Sequence, residues 1–241
     1  TLTFRSLWSL LIWKMEMMTM SHYIALDIET ANLDMEAEDL QFGNPKGWKT
    51  SCVCIYDFWI DEGVEKGIGY FYASDVDSII NIDPSLIGYA IKPLETLESD
   101  LRNYHSQDYT LVTKNGLGFD LPILSKHIID GGANCDDVFN TFEESDRHID
   151  ICQLLRNQYG LRFSLASLVS GLYGTKESKS MAAAAAPIQW AEKQYQTVLD
   201  YCMQDSVLTA KVFVDAPTRS FEAVGKRDGR SQVMMLSPSW T

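Results

Sequence analysis

A helix near the C-terminus carries a carboxylate within its apolar stripe, and this feature limits most strongly how the chain can fold. The spacing predicts a long helix over Gln189–Val214, with room for one break. A carboxylate on an apolar face costs several kcal/mol unless it is paired or metal-bound. Asp205 must therefore meet a metal ion or, in the simpler alternative, lie at the helix edge beside a lysine or a backbone N–H. The stripe comprises Val198, Tyr201, Cys202, Asp205, Leu208, Thr209 and Val212.

An aromatic hydroxyl accompanies this carboxylate. Tyr201 precedes Asp205 by four residues, and residues four apart lie on the same face of a helix. The phenol should therefore sit directly above the carboxylate.

A pair of acids lies at the end of an apolar strand near the N-terminus. The run Tyr23–Ile28 (YIALDI) alternates as a strand does, and residues two apart on a strand share a face. Asp27 and Glu29 therefore point the same way, about 6.5–7 Å apart along the chain. Like charges this close repel and raise each other's pKa unless a cation lies between them. The alternative is two solvent-facing acids at a strand end.

A fourth acid follows a glycine-containing turn in the segment NGLGFDLP. Asp120 suits a helix N-cap, and Pro122 suits a first helical turn. The alternative is a functional role for this segment, because Asn115 and the two glycines after it allow another chain to approach the backbone closely. Phe119 would then stack or wedge beside an acid at a helix start.

Taken in order, D-x-E, N-G-x-x-F-D-x-P and Y-x-x-x-D resemble exonuclease motifs I, II and III of the DEDD (DnaQ-like) superfamily of 3′–5′ exonucleases. Tyr201 is similar to the tyrosine of the DEDDy branch, whereas the DEDDh branch would need a histidine at position 200, which is Asp200. The resemblance runs from about Ser21 to Phe213. It looks most similar to stand-alone relatives of the exonuclease domain of family B DNA polymerases.

The resemblance implies a ribonuclease H-like fold and a two-metal-ion site. Two divalent cations would be held by Asp27, Glu29, Asp120 and Asp205, and ligands that are all oxygen favour Mg²⁺ or Mn²⁺ over Zn²⁺. One ion would activate the attacking water, and the other would stabilise the leaving 3′ oxygen. Tyr201 would orient the water, because a phenol with a pKa of about 10 is a poor base at pH 7.

The implied function is hydrolysis of phosphodiester bonds at the 3′ end of single-stranded nucleic acid, with DNA favoured over RNA. The terminal nucleotide would lie beside Thr30, Asn115, Gly116 and Phe119. The partners expected are the single-stranded 3′ end and a polymerase or other replication or repair protein in trans. The protein is expected to be cytoplasmic or otherwise soluble and intracellular, including in a virus-infected cell, with no membrane association. The alternative is a catalytically weak nucleic-acid-binding module of the same fold.

The charge balance works against general attraction to nucleic acid. The chain has 20 Lys and Arg against 33 Asp and Glu, a formal net charge of −13. Local basic patches or bound cations must overcome that field. The charge alone also fits a third class, an acidic metal-binding or interaction protein. Basic candidates that either contact phosphates or are simply solvated are Lys176, Lys179, Lys226, Arg227 and Arg230.

The order of elements predicts an α/β fold, with a mixed β-sheet flanked by α-helices. We expect residues 1–20 to be a non-native or disordered leader, residues 21–215 to form the exonuclease domain, and residues 216–241 to be a tail that is poorly ordered near its end. The hairpin signal Asp61–Gly63 should join two strands, and the five scattered cysteines should be buried free thiols.

A short RHID segment lies between the second and third motifs. It resembles a small motif of the family, and Asp150 in it is either a supporting residue, the favoured interpretation, or a metal ligand. The four histidines have no common metal-binding spacing and are expected to be surface or hydrogen-bonded residues. They are His22, His105, His127 and His148.

Overall fold

The computed structural model describes residues 21–32, 47–74, 76–126, 135–174 and 183–240. The predicted leader (1–20) and the candidates Lys176, Lys179 and His127 lie outside the described residues. Within these ranges no helix is long and apolar enough to cross a membrane.

A six-stranded mixed sheet forms the centre of the fold. Its strands are β1 (His22–Thr30), β2 (Thr50–Asp61), β3 (Val64–Ala73), β4 (Ile91–Pro93), β5 (Thr110–Thr113) and β6 (His148–Asp150). Their spatial order is β4-β3-β2-β1-β5-β6. The pairs β1–β2 and β2–β3 are antiparallel, whereas β5 is parallel to β1 and β6 is parallel to β5. The predicted α/β class is confirmed, and the arrangement is consistent with the ribonuclease H-like fold.

Helices cover both faces of this sheet. They are α1 (Val76–Ile82), α2 (Leu97–Ser106), α3 (Asp120–Lys126), α4 (Asp136–Glu144), α5 (Ile151–Tyr159), α6 (Leu165–Tyr173), α7 (Ala186–Ala191) and α8 (Tyr195–Asp215). Short 3₁₀ turns lie at Pro84–Gly88, Leu94–Thr96, Ala183–Ala185 and Ala216–Thr218. The helix predicted over 189–214 is broken once, as allowed, where Lys193 adopts the left-handed conformation with φ 64°.

Strand β1 is buried on both faces, and this decides where its acids point. Ile24 and Leu26 belong to a core shared with α2, α3 and α4. Ala25, on the opposite face, belongs to a core shared with α6 and α8. Because strand residues alternate, Asp27 and Glu29 lie on the face of Ala25, toward α8.

The predicted hairpin between β2 and β3 is confirmed. Its turn residues Glu62 and Gly63 have left-handed φ values of 52° and 79°, as a two-residue hairpin loop requires.

The C-terminal segment contributes two strands to a second, antiparallel sheet, whereas the sequence predicts a tail over residues 216–241. The strands β7 (Arg162–Phe163), β8 (Phe221–Arg227) and β9 (Arg230–Leu236) pair in that order. The turn at Asp228 and Gly229 has φ values of 49° and 74°. Alternate residues of β8 are buried against the core of α6 and α8, and Leu236 joins them. This apolar contact fixes the segment on the domain.

Candidate metal centre

Three of the four predicted acidic ligands converge. One carboxylate oxygen from each of Asp27, Glu29 and Asp205 lies within 4.8 Å of the other two. Glu29 and Asp205 are only 7% and 5% exposed, and Asp27 is half-buried. The donor set consists of carboxylate oxygens alone, which suits a hard divalent cation such as Mg²⁺ or Mn²⁺. The residues present therefore fit the metal that the resemblance implies.

Hydrogen bonds from side chains to the main chain hold α8 over β1 and β2. The thiol of Cys202 donates to the carbonyl oxygen of Asp27 at 3.4 Å, so the helix is attached to the strand at the acid itself. Cys54 on β2 donates to the carbonyl of Leu199 at 3.7 Å, and Ser206 donates to the carbonyl of Cys54 at 3.3 Å. These contacts set the register of the helix and bring its carboxylate to the two β1 acids.

The sequence predicts these cysteines only as buried free thiols. All five cysteines are indeed buried and free, so that prediction is confirmed. Burial raises the pKa of Cys54 and of Cys202, which keeps both thiols neutral and able to donate. Their positioning role was missed. The sequence holds no local signal for it, because these hydrogen bonds join residues 145 and 175 positions apart.

The fourth predicted ligand, Asp120, lies at the end of β1 but is not one of the three clustered carboxylates. Strand β5 pairs with β1 only from Tyr23 to Leu26, so Ile28 lies beyond the paired stretch. The N–H of Ile28 donates to Oδ1 of Asp120 at 3.3 Å. The carboxyl group is thus bound to the main chain between the two acids of the D-x-E motif.

Asp120 is poised to titrate near neutral pH. Burial raises the pKa of its carboxyl group to about 7, although hydrogen bonds from its own N–H and from Ile28 oppose the shift. The negative charge of Asp150 adds to the increase, and the positive charge of Lys114 opposes it. A proton held here would be released when a cation binds, because metal ligands must be deprotonated.

Asp150 stabilises the turn before Asp120 through hydrogen bonds. Its Oδ1 accepts from the N–H groups of Asn115 at 3.2 Å and Gln153 at 3.0 Å, and its Oδ2 accepts from Leu117 at 2.9 Å. A carboxylate that accepts three backbone hydrogen bonds holds this turn and caps α5 at the same time. These contacts agree with the favoured interpretation of Asp150 as a supporting residue.

The turn itself needs the residues found in it. Asn115 has φ 71°, a left-handed value that asparagine tolerates better than most residues. A Cβ atom on Gly116 would lie 2.5 Å from the side chain of Thr113 and 2.6 Å from Leu121, so a side chain here would displace the turn. This tight packing places Asp120 against the end of β1.

The residues predicted to contact a nucleotide differ in their exposure. Thr30 is buried next to an irregularity in the β1–β2 pairing, and Gly116 is buried in its turn. Asn115 and Phe119 are half-buried. The ring of Phe119 meets Trp48 edge-on, with centroids 5.1 Å apart, so part of it packs into the fold. Their roles toward a nucleotide stay predictions.

Tyr201 lies on α8 one turn before Asp205 and is 1% exposed. Its ring is therefore confined by the surrounding fold, on the helix face that points at the β1 acids. Its role toward the attacking water stays a prediction.

His148 is a hydrogen-bonded residue, as expected. Its Nε2 lies 2.8 Å from the hydroxyl of Thr113, and its Nδ1 contacts the carboxylate of Glu143. His105 likewise lies 3.0 Å from the hydroxyl of Ser145. Neither belongs to the acidic cluster.

Comparison with known proteins finds similarity in solved structures only. No protein-family model matches the chain, and no curated protein matches its sequence. Among solved structures, the chain is similar to a zinc-bound complex of Escherichia coli exonuclease I with single-stranded DNA, at 12% identity and a TM-score of 0.40, covering 83% of this chain and 41% of that one. It is also similar to a product-bound exonuclease I, at 14% identity and a TM-score of 0.37, covering 75% and 45% of the two chains.

The chain thus spans less than half the length of those exonuclease I chains. A TM-score of 0.40 at 12% identity does not establish a shared activity. The site residues themselves must carry the functional interpretation.

Proposed function

We propose that the protein is a metal-dependent 3′–5′ exonuclease of the DEDDy type that acts on single-stranded nucleic acid, DNA in preference to RNA. The observation that carries the proposal is the convergence of Asp27, Glu29 and Asp205 from two separate elements. An acid pair on a strand and an acid on a helix have no structural need to meet, and their mutual repulsion makes the arrangement costly without a cation.

The chain's own residues have separable tasks in this proposal. Asp27, Glu29 and Asp205 would hold the divalent cations, and Asp120 would join them after losing its proton. When bound, two Mg²⁺ or Mn²⁺ ions would supply Lewis-acid stabilisation of the phosphate and a water of lowered pKa. Tyr201 would orient that water by a hydrogen bond, since its phenol is too weak a base to take the proton at pH 7.

The same residues give less support to the two competing classes of protein. A nucleic-acid-binding module without catalysis would not need both Tyr201 and the full set of acids, yet all of them are present. An acidic interaction protein accounts for the charge of −13 but not for carboxylates that are buried together. The likeness to stand-alone relatives of polymerase exonuclease domains, an intracellular location and a replication or repair partner in trans stay part of the proposal.

The decisive experiment measures cleavage of 5′-labelled single-stranded DNA and RNA in Mg²⁺, Mn²⁺ or EDTA. The expected product is a ladder that shortens one nucleotide at a time, faster on DNA and absent in EDTA. Asp205→Asn should reduce the rate on the order of 10³-fold or more, because cation stabilisation is worth several kcal/mol.

The matched control is Asp200→Asn on the same helix, since Asp200 is exposed and accepts a hydrogen bond from Tyr89. This variant should cleave at the wild-type rate. Cleavage that persists in EDTA, or that survives Asp205→Asn, would contradict the proposal.

A further inference from the structure

The C-terminal sheet places cations directly opposite one another. In the antiparallel pairing, Arg162 on β7 faces Lys226 on β8, and Arg227 on β8 faces Arg230 on β9. Like charges that face each other across two strands destabilise a sheet. Two such pairs in one three-stranded sheet are unexpected in a chain whose net charge is −13.

Three of these cations, Arg162, Lys226 and Arg227, line a cleft of about 850 Å³ between the end of α5 and the β8–β9 turn. The lining residues are Arg156, Asn157, Gly160, Arg162, Lys226, Arg227, Asp228 and Gly229. The four basic side chains are exposed. Among the described residues, the ion pair found here joins Arg227 to Asp228 at 3.9 Å, with side chains 71% and 92% exposed. Such a pair contributes little, so most of the positive charge is available to a ligand.

The chemistry of the lining indicates which anion the cleft suits. None of the described residues that line it is aromatic, so it offers no platform on which a base could stack. The cations come from two strands and a helix end, so they are carried by three separate elements. This distribution suits several phosphates along a chain better than a single phosphate group.

One helix connects the cleft to the acidic centre. At the start of α5, Asp150 holds the turn that leads to Asp120. Near its other end, Arg156 and Asn157 line the cleft. Nine residues of α-helix span about 13.5 Å, so α5 runs over that distance from the turn before Asp120 to the cleft.

We propose that this cleft binds the sugar-phosphate backbone of a single strand whose 3′ end lies at the acidic centre. The inference rests on the proposed exonuclease function and adds a second, sequence-independent contact to it. Phosphates would neutralise the facing cations and remove their mutual repulsion. The cleft would thus overcome locally the unfavourable field of the acidic chain.

The test measures binding of a 5′-fluorescein-labelled oligothymidylate by anisotropy, in EDTA, over a series of salt concentrations. The double variant Arg162→Gln/Lys226→Gln should bind more weakly, and the slope of log K against log[salt] should fall by about 1.4, since each single-strand phosphate contact contributes about 0.7. The control Lys66→Gln/Lys193→Gln removes the same charge from exposed sites elsewhere and should keep the wild-type slope. The swap Arg162→Lys/Lys226→Arg, which keeps both charges, should also keep it.

The outcomes separate this inference from the proposed function. If the wild type binds and cleaves but the double variant keeps the wild-type slope, the binding role of the cleft is overturned. The proposed exonuclease function is then unaffected. A reduced slope with no metal-dependent cleavage by any preparation supports the cleft as a nucleic-acid site and overturns the exonuclease. Displacement of the oligonucleotide by polyglutamate as effectively as by unlabelled oligothymidylate overturns the inference in favour of a general polyanion site. Displacement by inorganic phosphate at constant ionic strength overturns it in favour of a single-phosphate site.

Discussion

The acidic centre on β1 and α8 and the basic cleft on α5, β7 and β8 both gather charges of one sign, but they hold them differently. The acidic side chains are mostly buried, and the elements that carry them are tied together by hydrogen bonds to the main chain. The basic side chains are exposed, and the ion pair between Arg227 and Asp228 is a weak one. A buried cluster needs a counter-ion at a fixed position, whereas an exposed cluster can receive a mobile, extended partner.

The largest expected effect tests whether the acidic centre depends on fixed geometry. Tyr201→Phe keeps the ring and removes one hydroxyl, so the single-turnover cleavage rate should fall about 10²–10³-fold while cation affinity stays unchanged. Tyr195→Phe, at the start of the same helix, is the matched control and should cleave normally, since its ring packs against Trp190. A wild-type rate for Tyr201→Phe would remove the water-positioning role.

The pH dependence of stability should differ between the two regions. The pKa of Asp120 is about 7 in the folded protein and near 3.8 when the group is free, because burial disfavours its charge. Its contribution to stability is therefore complete below pH 4 and is lost as the pH rises through 7. In EDTA, the melting temperature of the wild type should fall relative to Asp120→Asn between pH 4 and 8.

Arg162→Gln is the control for this pH effect, because an arginine in the cleft does not titrate in that range. Its melting temperature should run parallel to that of the wild type. A difference between wild type and Asp120→Asn that is constant with pH would contradict the prediction.

Cations should stabilise one region and not the other. A metal that binds only the folded state adds about 2.7 kcal/mol at a hundredfold excess over its Kd. Mn²⁺ should therefore raise the melting temperature of the wild type and of Arg162→Gln, but much less that of Asp27→Asn. Equal shifts in all three proteins would place the metal elsewhere.

The smallest expected effect concerns how far repulsion between the facing cations lowers the stability of the folded protein. Lys226→Gln removes the charge opposite Arg162, so unfolding without nucleic acid should become more difficult by about 0.2–1 kcal/mol at low salt. The gain should shrink as salt screens these exposed charges. Lys66→Gln, which loses its ion pair with Asp61, should show no gain in urea unfolding. If Lys226→Gln lowers the free energy of unfolding, the facing cations do not destabilise the folded protein.

Local sequence patterns predicted the elements whose apolar periodicity is strong. Strand β1 and the β2–β3 hairpin were found from alternation and a turn signal, and α8 from its stripe. The same stripe drew attention to Asp205, because a charge on an apolar face needs a local explanation. Those inferences needed no knowledge of tertiary contacts.

The parts that were missed depend on contacts between distant residues. The β8–β9 hairpin was taken for a tail because its charged and small residues outweighed the turn signal of Asp228 and Gly229. The bond from Cys202 to the Asp27 carbonyl joins residues 175 positions apart, and no local pattern encodes it. For the same reason the packing of Phe119 on Trp48 could not be predicted.

The bond between Ile28 and Asp120 makes one backbone amide a reporter of the site. Neighbouring β1 amides up to Leu26 lie within the stretch paired with β5, but the Ile28 amide is held by a side chain of α3. Its hydrogen-exchange rate should therefore follow local opening of that short helix rather than global unfolding of the sheet. A measurement at this single amide reports whether the fourth acid is docked, with no substrate present.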